Sequence, residues 1–296
     1  MEFVEIVAGS SVRLMVPLLL AALGELISER AGIMNVGLEG MMTAGAFSAY
    51  VAAVIGFGIP SAVLIAAVCG LLAGSLMALG AVWMRGNAIL VGFAIFILVP
   101  GLANFLFVQG QLNAATPALS DISIPYLSTI PVLGAAFFSQ NFFYYLAIVL
   151  TLLVWAMFAH TRAGLVISAV GHNPAKAATI GISPRNVQTF ALLACGAFAG
   201  LGGAALSLGA VGSYVPNIIG GRGFIVIAIV ILGRWTVLGA AAGAILMGVL
   251  DALKLDLPQI SNVPIHLLGG LPWIVVVLML IASARMRSNA PRTLVT

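Results

Sequence analysis

Few side chains in this 296-residue chain could do chemistry, since only 7% are charged. The first group lies in Glu29–Ala46, ERAGIMNVGLEGMMTAGA. Asn35 and Glu39 are four apart, so they share a helical face if helix runs through both. A carboxylate within an apolar span is costly and normally faces protein or water. Glu39 and Asn35 therefore either line a polar translocation path, or Glu39 pairs with Arg30 or another basic group near the cytoplasmic edge. Gly32, Gly37, Gly40 and Gly45 loosen the helix around them.

The second group lies in Gly209–Trp235. Pro216 and the run Gly220-Gly221-Arg222-Gly223 interrupt helix at or near the outer membrane face. Arg222 is placed to pair with a carboxylate, to meet lipid headgroups, or to contact a substrate in the outer mouth. Tyr214 and Trp235 fit an interfacial aromatic belt. Between these groups, Phe93 and Asn104 are candidate path-lining residues, although hydrogen bonding between helices explains Asn104 equally well.

The third group is a polar island, Thr161–Arg185, TRAGLVISAVGHNPAKAATIGISPR. It holds Arg162, Lys176 and Arg185 and no acid. Asn173 suits a helix N-cap, Pro174 the first helical position, and Gly181 the stop. Ser183-Pro184 then forbids continuation. The result is a helix of about two turns, too short to stand alone in water, with a small Ala face fit for docking on a partner. The alternative is a solvated connector packed on its own bundle.

Several chemistries are excluded by what is missing. The two lysines, Lys176 and Lys254, end no G-x-x-x-x-G-K-[ST] loop, so this chain is not itself a P-loop ATPase. His160, His172 and His266 form no HExxH or zinc spacing, and no G-x-S-x-G elbow is present. Cys69 and Cys195 lie in separate apolar runs and read as buried free thiols.

The elements that position these groups are membrane helices. Hydrophobic residues make up 62% of the chain and the mean hydropathy is +1.20, whereas soluble domains carry about 25% charged residues. Runs such as Ala62–Val82 do not alternate, which excludes a membrane barrel. Nine candidate spans follow: Val12–Ile27, Gly37–Ile55, Pro60–Met84, Ala88–Val108, Phe142–Ala159, Val187–Leu208, Ile218–Leu232, Leu238–Leu253 and Ile265–Ser283. The seventh is short for a crossing, and the stretch before Gly37 is a candidate re-entrant segment. The expected fold is a single all-α polytopic bundle over residues 1–296, in a lipid bilayer. The net charge of +4 is a topology signal, not a nucleic-acid surface. Arg30, Arg85, the island, Arg234 and the C-terminal Arg285, Arg287 and Arg292 all fall inside. Gln109–Asn141, without Lys or Arg, falls outside, and so does the N-terminus. No cleavable signal pattern precedes Arg13, so the first span is expected to direct insertion. Pairs such as Gly70/Gly74, Gly196/Gly200 and Gly239/Gly243 are suited to close helix packing. One Gly-rich interruption lies in each half, Gly32–Gly45 and Gly209–Gly223, a pointer to a two-repeat transporter.

Three stretches together resemble a known family: ELISERAGIMNVGLEGMMTAGAF (25–47), TRAGLVISAVGHNPAKAATIGI (161–182) and GGRGFIVIAIVILGRWTVLGAAAGA (220–244). The chain is similar to permease subunits of bacterial ABC importers for simple sugars and branched-chain amino acids, and best to the nucleoside-type branch. The resemblance implies a multi-pass transport subunit of the bacterial cytoplasmic (inner) membrane, not an enzyme. It implies a second permease, often a different chain, two cytoplasmic ATPase subunits and an extracytoplasmic binding lipoprotein. ATP and Mg²⁺ would be bound by the ATPase, with no cofactor in this chain. It also implies that 161–186 is a coupling loop to the ATPase, with Gly171, Asn173, Pro174, Ala177, Ala178 and Gly181 matching the family pattern and Lys176 among them. His172 stands where the family often has an acid, which argues against charge pairing there. A nucleoside is neutral and amphipathic, which suits a path with few charges, some Asn and some aromatic faces. Riboflavin or a simple sugar would suit it too, and an ion-coupled secondary transporter relying on Glu39 or Asp251, or a non-transport scaffold, are the rivals of a different class.

Overall fold

A computed structural model describes residues 2–111, 114, 116, 119, 122–123, 139–256, 270–283 and 290–294. Its helices are α1 (Glu2–Arg30), α2 (Leu38–Ile55), α3 (Ile59–Ala78, prolonged by a π-helical turn Leu79–Trp83), α4 (Ala88–Gln109), α5 (Phe142–His160), α6 (Arg162–His172), α7 (Pro174–Thr179), α8 (Pro184–Ala204, prolonged by a π-helical turn Ala205–Val211), α9 (Arg222–Leu232), α10 (Val237–Asp256) and α11 (Leu271–Ser283). A two-residue antiparallel pair, β1 (Ile122–Ser123) with β2 (Ser139–Gln140), and a short 3₁₀ turn Arg292–Leu294 complete it.

Among the described residues, seven helices are long and apolar enough to cross a membrane. They match seven of the nine expected spans. The other two, α9 and α11, have 11 and 13 residues, and the start of the ninth span (265–269) lies outside the described residues. So do Arg285 and Arg287 and most of Gln109–Asn141.

α1 is the central post. Leu18, Leu20, Leu23 and Leu26 are fully buried, and α8, α10, α9 and α5 pack around it. Lipid tails are as apolar as leucine, so the bundle is held by close packing more than by the hydrophobic effect. Glycine makes this possible where α2, α3 and α8 cross: a Cβ on Gly200 would overlap the Ala66 carbonyl, and one on Gly45 or Gly70 would run into Gly200. The tight-packing interpretation of Gly70, Gly74, Gly196 and Gly200 holds. α4 and α5 lie at the periphery and expose Leu98, Leu102, Phe105, Leu152 and Leu153.

The alternation expected from the charges is consistent with the contacts. At one end Arg30 meets Trp235 and Ser168, Gln188 donates to the Ala31 carbonyl, and Thr293 donates to the Gly171 carbonyl. At the other, Tyr50 reaches Ala114, Thr116 reaches Gly212 and Asn141 reaches Gly209.

The island is more helical than expected. An 11-residue helix, α6, precedes the short one, capped by Thr161, whose hydroxyl accepts from the Gly164 N–H. Only the second helix had been foreseen. α7 forms as anticipated: Asn173 Oδ1 accepts from the Lys176 N–H at 2.9 Å, Pro174 opens it, and Gly181 closes it at φ +83°, with the Ile182 N–H returning to the Ala177 carbonyl.

Candidate functional site

The two Gly-rich interruptions meet in space. After Arg30 the chain turns at Gly32 (φ +87°) and runs back along α1. Ser28 Oγ donates to the Ile33 carbonyl at 2.8 Å, and the Asn35 N–H donates to Glu25 Oε1 at 2.9 Å. Glu25 lies five residues, about 7–8 Å, inside the Arg30 end. α2 therefore begins beside the interior of α1, as a partly re-entrant stretch before Gly37 would have it. Because helix starts only at Leu38, Asn35 and Glu39 do not share a helical face. Asn35 is fully buried; its Nδ2 faces Met41 Sδ and Cys195 Sγ, and its Oδ1 accepts from the Gly37 N–H.

α9 supplies the other interruption. Its foot is at Trp235, beside Arg30, and eleven residues rise only about 16 Å. Its N-terminus thus stops near half the roughly 30 Å hydrocarbon depth, not at the outer face as the sequence had suggested. There the Gly221 N–H, the first orphan donor of α9, is accepted by Glu39 Oε1 at 2.9 Å. Contact is close: a Cβ on Gly223 would sit 2.7 Å from Glu39 Cβ. Glu39 is thus bound by the partner break and not by Arg30. Its carboxylate lies at the positive end of two helices, α2 and α9. Its second oxygen, Oε2, is buried without a hydrogen-bond partner among the described residues.

Arg222 stands next to this carboxylate, and its charge acts on Glu39. Its guanidinium donates to Asp251 Oδ2 at 3.0 and 3.2 Å and to the Ile218 and Ile219 carbonyls. The carboxylate alternative for Arg222 is therefore the one realised. Beside it an aromatic ladder forms: Phe93 edge-on to Phe96 (6.2 Å between ring centroids), and Phe96 edge-on to Phe224 (5.4 Å). Phe93 is 43% exposed, so the ladder opens to the surface of α4. A free carboxylate oxygen, an ion pair and aromatic faces at one depth make a site that can accept hydrogen bonds and stack a flat ring.

Of the five sequence-stretch candidates for the path, Glu39, Phe93 and Arg222 are brought to this level. Asn35 is sealed behind it. Asn104 lies eleven residues further along α4, about 16 Å outward, where Tyr214 Oη donates to its Oδ1 at 3.2 Å. Tyr214 there is 3% exposed and surrounded by Phe47, Tyr50 and Phe107 at 5.3–5.9 Å. Trp235 is 8% exposed. Neither is a belt residue: both rings are enclosed by the bundle and their polar atoms are paired. An apolar cavity of about 440 Å³ beside the outer aromatic group, lined by Phe47, Val51, Ile65, Cys69, Val99 and Leu102 among others, offers almost no polar partner.

Sequence inspection missed Phe96, Phe224 and the buried acids Glu25 and Glu29. The signals were present: Phe93 and Phe96 are spaced i, i+3, Phe224 directly follows Gly223, and Glu25 and Glu29 lie four apart within an apolar span. In the island, Gly171 and Ala177 are buried, whereas Asn173, Lys176, Ala178 and Gly181 are exposed and Pro174 is half-buried. Ile180 is 73% exposed.

A family model for the permease component of branched-chain amino acid transport systems matches residues 7–284. The chain belongs to this family. Among its relatives are the nucleoside ABC transporter permease protein NupC of Lactococcus lactis (35% identical, 89% of this chain and 87% of the relative) and the putative glucose ABC transporter permease protein TsgC13 of Haloferax volcanii (34%, 88% and 80%). The guanosine ABC transporter permease protein NupQ of Bacillus subtilis is 30% identical over 98% of this chain and 95% of its own. A second permease protein from each of the two bacteria, NupB and NupP, also matches, at 24% and 25%. An inward-facing putative metal-chelate type ABC transporter shares the fold, with a TM-score of 0.53 at 15% identity over 94% of this chain and 85% of that one. The protein is therefore a multi-pass membrane permease, a transport component.

Proposed function

We propose that this chain is the permease subunit of an ATP-binding cassette importer for nucleosides. The observation that carries the proposal is the meeting of two helix interruptions at Glu39, beside the Phe93–Phe96–Phe224 ladder. Membrane transporters bind substrate near the midplane, where broken helices point their N-termini at it. A nucleoside offers a flat base to stack on an aromatic ring and hydroxyls or N–H groups to donate to Glu39 Oε2. Base–aromatic stacking contributes about 1–3 kcal/mol. The names of the Lactococcus and Bacillus relatives support the same substrate class.

The mechanism is alternating access. A binding lipoprotein delivers substrate at the outer end, where the expected face, Gln109–Asn141, lies mostly outside the described residues. ATP and Mg²⁺ are bound by separate cytoplasmic ATPase subunits, which press on the 161–186 loop. Gly171, Asn173, Pro174, Lys176, Ala177, Ala178 and Gly181 build that loop. The exposed Ile180, Lys176 and Ala178 are the groups available for docking. A second, different permease completes the path, as the presence of NupB beside NupC and NupP beside NupQ among the relatives suggests.

The test is reconstitution with the cognate partners in proteoliposomes. Uptake of labelled uridine should be blocked by excess nucleosides and much less by free bases, riboflavin or pentoses. Phe224→Ala should raise the half-saturating uridine concentration about 5- to 150-fold, the equivalent of that stacking contribution. Competition by glucose but not by nucleosides would replace this substrate with a sugar, the alternative favoured by the Haloferax relative. Uridine uptake without any ATPase subunit would support ion coupling. The engagement of Asp251 with Arg222 and of Glu39 with Gly221 weighs against that.

A further inference from the structure

We infer that Trp235 is a positioning residue that transmits movement of the 161–186 loop to α9, the short helix that carries Arg222 and Phe224. The inference rests on the coupling role proposed for that loop. It starts from the last turn of α6, where a Cβ on Gly171 would overlap the Arg30 carbonyl and come 3.2 Å from the Gly32 nitrogen. The end of the loop helix and the end of α1 therefore touch backbone to backbone. Arg30 is also held by that side of the bundle: Nη1 lies 3.4 Å from Ser168 Oγ, and the guanidinium stacks 4.7 Å from the Phe158 ring centre.

From there two successive residues of α1 grip one residue at the foot of α9. Arg30 Nε and Nη2 donate to the Trp235 carbonyl at 2.9 and 2.6 Å, and the Trp235 indole N–H donates to Glu29 Oε2. Glu29 is fully buried, and its other oxygen has no hydrogen-bond partner among the described residues. The backbone at this foot does not choose its own shape. Arg234 and Trp235 sit at φ +55° and +54°, a region that residues with a Cβ adopt only where surroundings impose it. α9 itself is short and enclosed, with Val226, Ile229 and Val230 fully buried. A displacement of its foot thus arrives at its head, where Gly221 is held by Glu39 and Phe224 meets Phe96.

The experiment measures substrate moved per ATP hydrolysed by the full complex in proteoliposomes, with labelled uridine, or labelled glucose where uridine is not taken up. Trp235→Phe keeps the ring and removes the N–H. It should lower the ratio at least fivefold while ATP hydrolysis stays within twofold of wild type. Glu29→Gln keeps an acceptor and should behave nearly as wild type, whereas Glu29→Leu should match Trp235→Phe. Trp83→Phe is the control: its indole donates to Thr189 at the same end of the molecule and, among the described hydrogen bonds, to no group of Glu29, Arg30 or Trp235, and its ratio should not change. A wild-type ratio in both Trp235→Phe and Glu29→Leu overturns the inference. If Trp235→Phe fails to assemble, the contrast between Glu29→Gln and Glu29→Leu decides alone. Gly171→Trp separates the two levels. If it too keeps the wild-type ratio, the coupling role of the loop is wrong and the inference falls with it. If it uncouples while the Trp235 and Glu29 variants do not, only the role of Trp235 is lost.

Discussion

The two helix breaks that meet at Glu39 are built differently. The break at 31–37 is packed and largely buried. Ala31, Asn35, Val36 and Gly37 are buried, and its turns are pinned by Ser28, Glu25 and the Asn35 amide itself. The break at 212–221 is open: Val215 is 51% exposed, Pro216 and Asn217 are exposed, and Gly212, Asn217, Gly220 and Gly221 all adopt positive φ. Among the described residues its side-chain holds are Tyr214 to Asn104, Thr116 to Gly212, Arg222 to the Ile218 and Ile219 carbonyls, and Gly221 to Glu39. One half of the site thus stands on a buried anchor and the other on a segment whose middle, 215–217, is exposed. In a transporter this asymmetry assigns the movement to the second break. Buried polar groups without alternatives resist opening, whereas exposed backbone with few buried contacts sits at the low-stability end of a structure.

The strongest way to break the comparison is to force the two breaks apart. Gly223→Val places a branched side chain where a single Cβ is already 2.7 Å from both the Cβ and the backbone nitrogen of Glu39. Neither is the tip of a flexible side chain, so backbone has to shift. The expected cost is about 1–3 kcal/mol or more, with loss of transport. It is checked by thermal unfolding in detergent and by uptake. A variant of wild-type stability and uptake would show that the two breaks are not rigidly apposed. Next is Glu39→Ala, which leaves the Gly221 N–H without its acceptor. A buried group so stranded costs about 1–3 kcal/mol, and uptake should fall tenfold or more. Glu39→Gln, which still accepts from Gly221, should lie between the two. Equal behaviour of Ala and Gln would mean that the cap does not matter and that only the charge does.

The difference between the breaks also explains which parts of the molecule were legible in the sequence. Long apolar runs announced α1 to α5, α8 and α10, because each must satisfy its backbone alone in lipid. α7 was legible residue by residue, since Asn173, Pro174 and Gly181 each have a local reason to be there. α6 was not. Its helix 162–172 carries both an apolar face and exposed positions, and Gly164 and Gly171 within it serve tertiary contacts with Met157 and Arg30 that no local rule reveals. The depth of the second break was misplaced for a similar reason. The Gly220–Gly223 run announced the interruption itself, but its place beside Glu39 shows only in the packing of Gly223 on that residue. Asp251 was foreseen as an acid but not as the partner of Arg222, a pairing 29 residues apart in sequence that depends on the α9–α10 hairpin.

A paired substitution sharpens the contrast at smaller scale. Asn35→Ala in the packed break removes the acceptor of the Gly37 N–H and the contacts to Met41 and Cys195. About 1–3 kcal/mol of stability should be lost. Asn217→Gly in the open break relieves a positive φ of +62° on an exposed residue and should be neutral within about 0.5 kcal/mol. Melting temperatures of the two variants, measured side by side, check it. A loss at Asn217 as large as that at Asn35 would mean that the open break is as constrained as the closed one.

The smallest expected effect concerns the outer aromatic group. Tyr214→Phe keeps the ring among Phe47, Tyr50 and Phe107 and deletes only the hydroxyl that donates to Asn104. Hydrogen bonds between helices in membrane proteins average about 0.6 kcal/mol, so stability should fall by less than about 1 kcal/mol. If the open break is held by few contacts, however, weakening one of them should favour its movement. Uptake is then expected to change by no more than about threefold, while proteolysis or cysteine labelling at Asn217→Cys becomes faster. Tyr214→Ala removes the packing as well and should release the segment far more. Unchanged labelling in Tyr214→Phe, with the full effect appearing only in Tyr214→Ala, would show that aromatic packing and not the Asn104 hydrogen bond retains the second break.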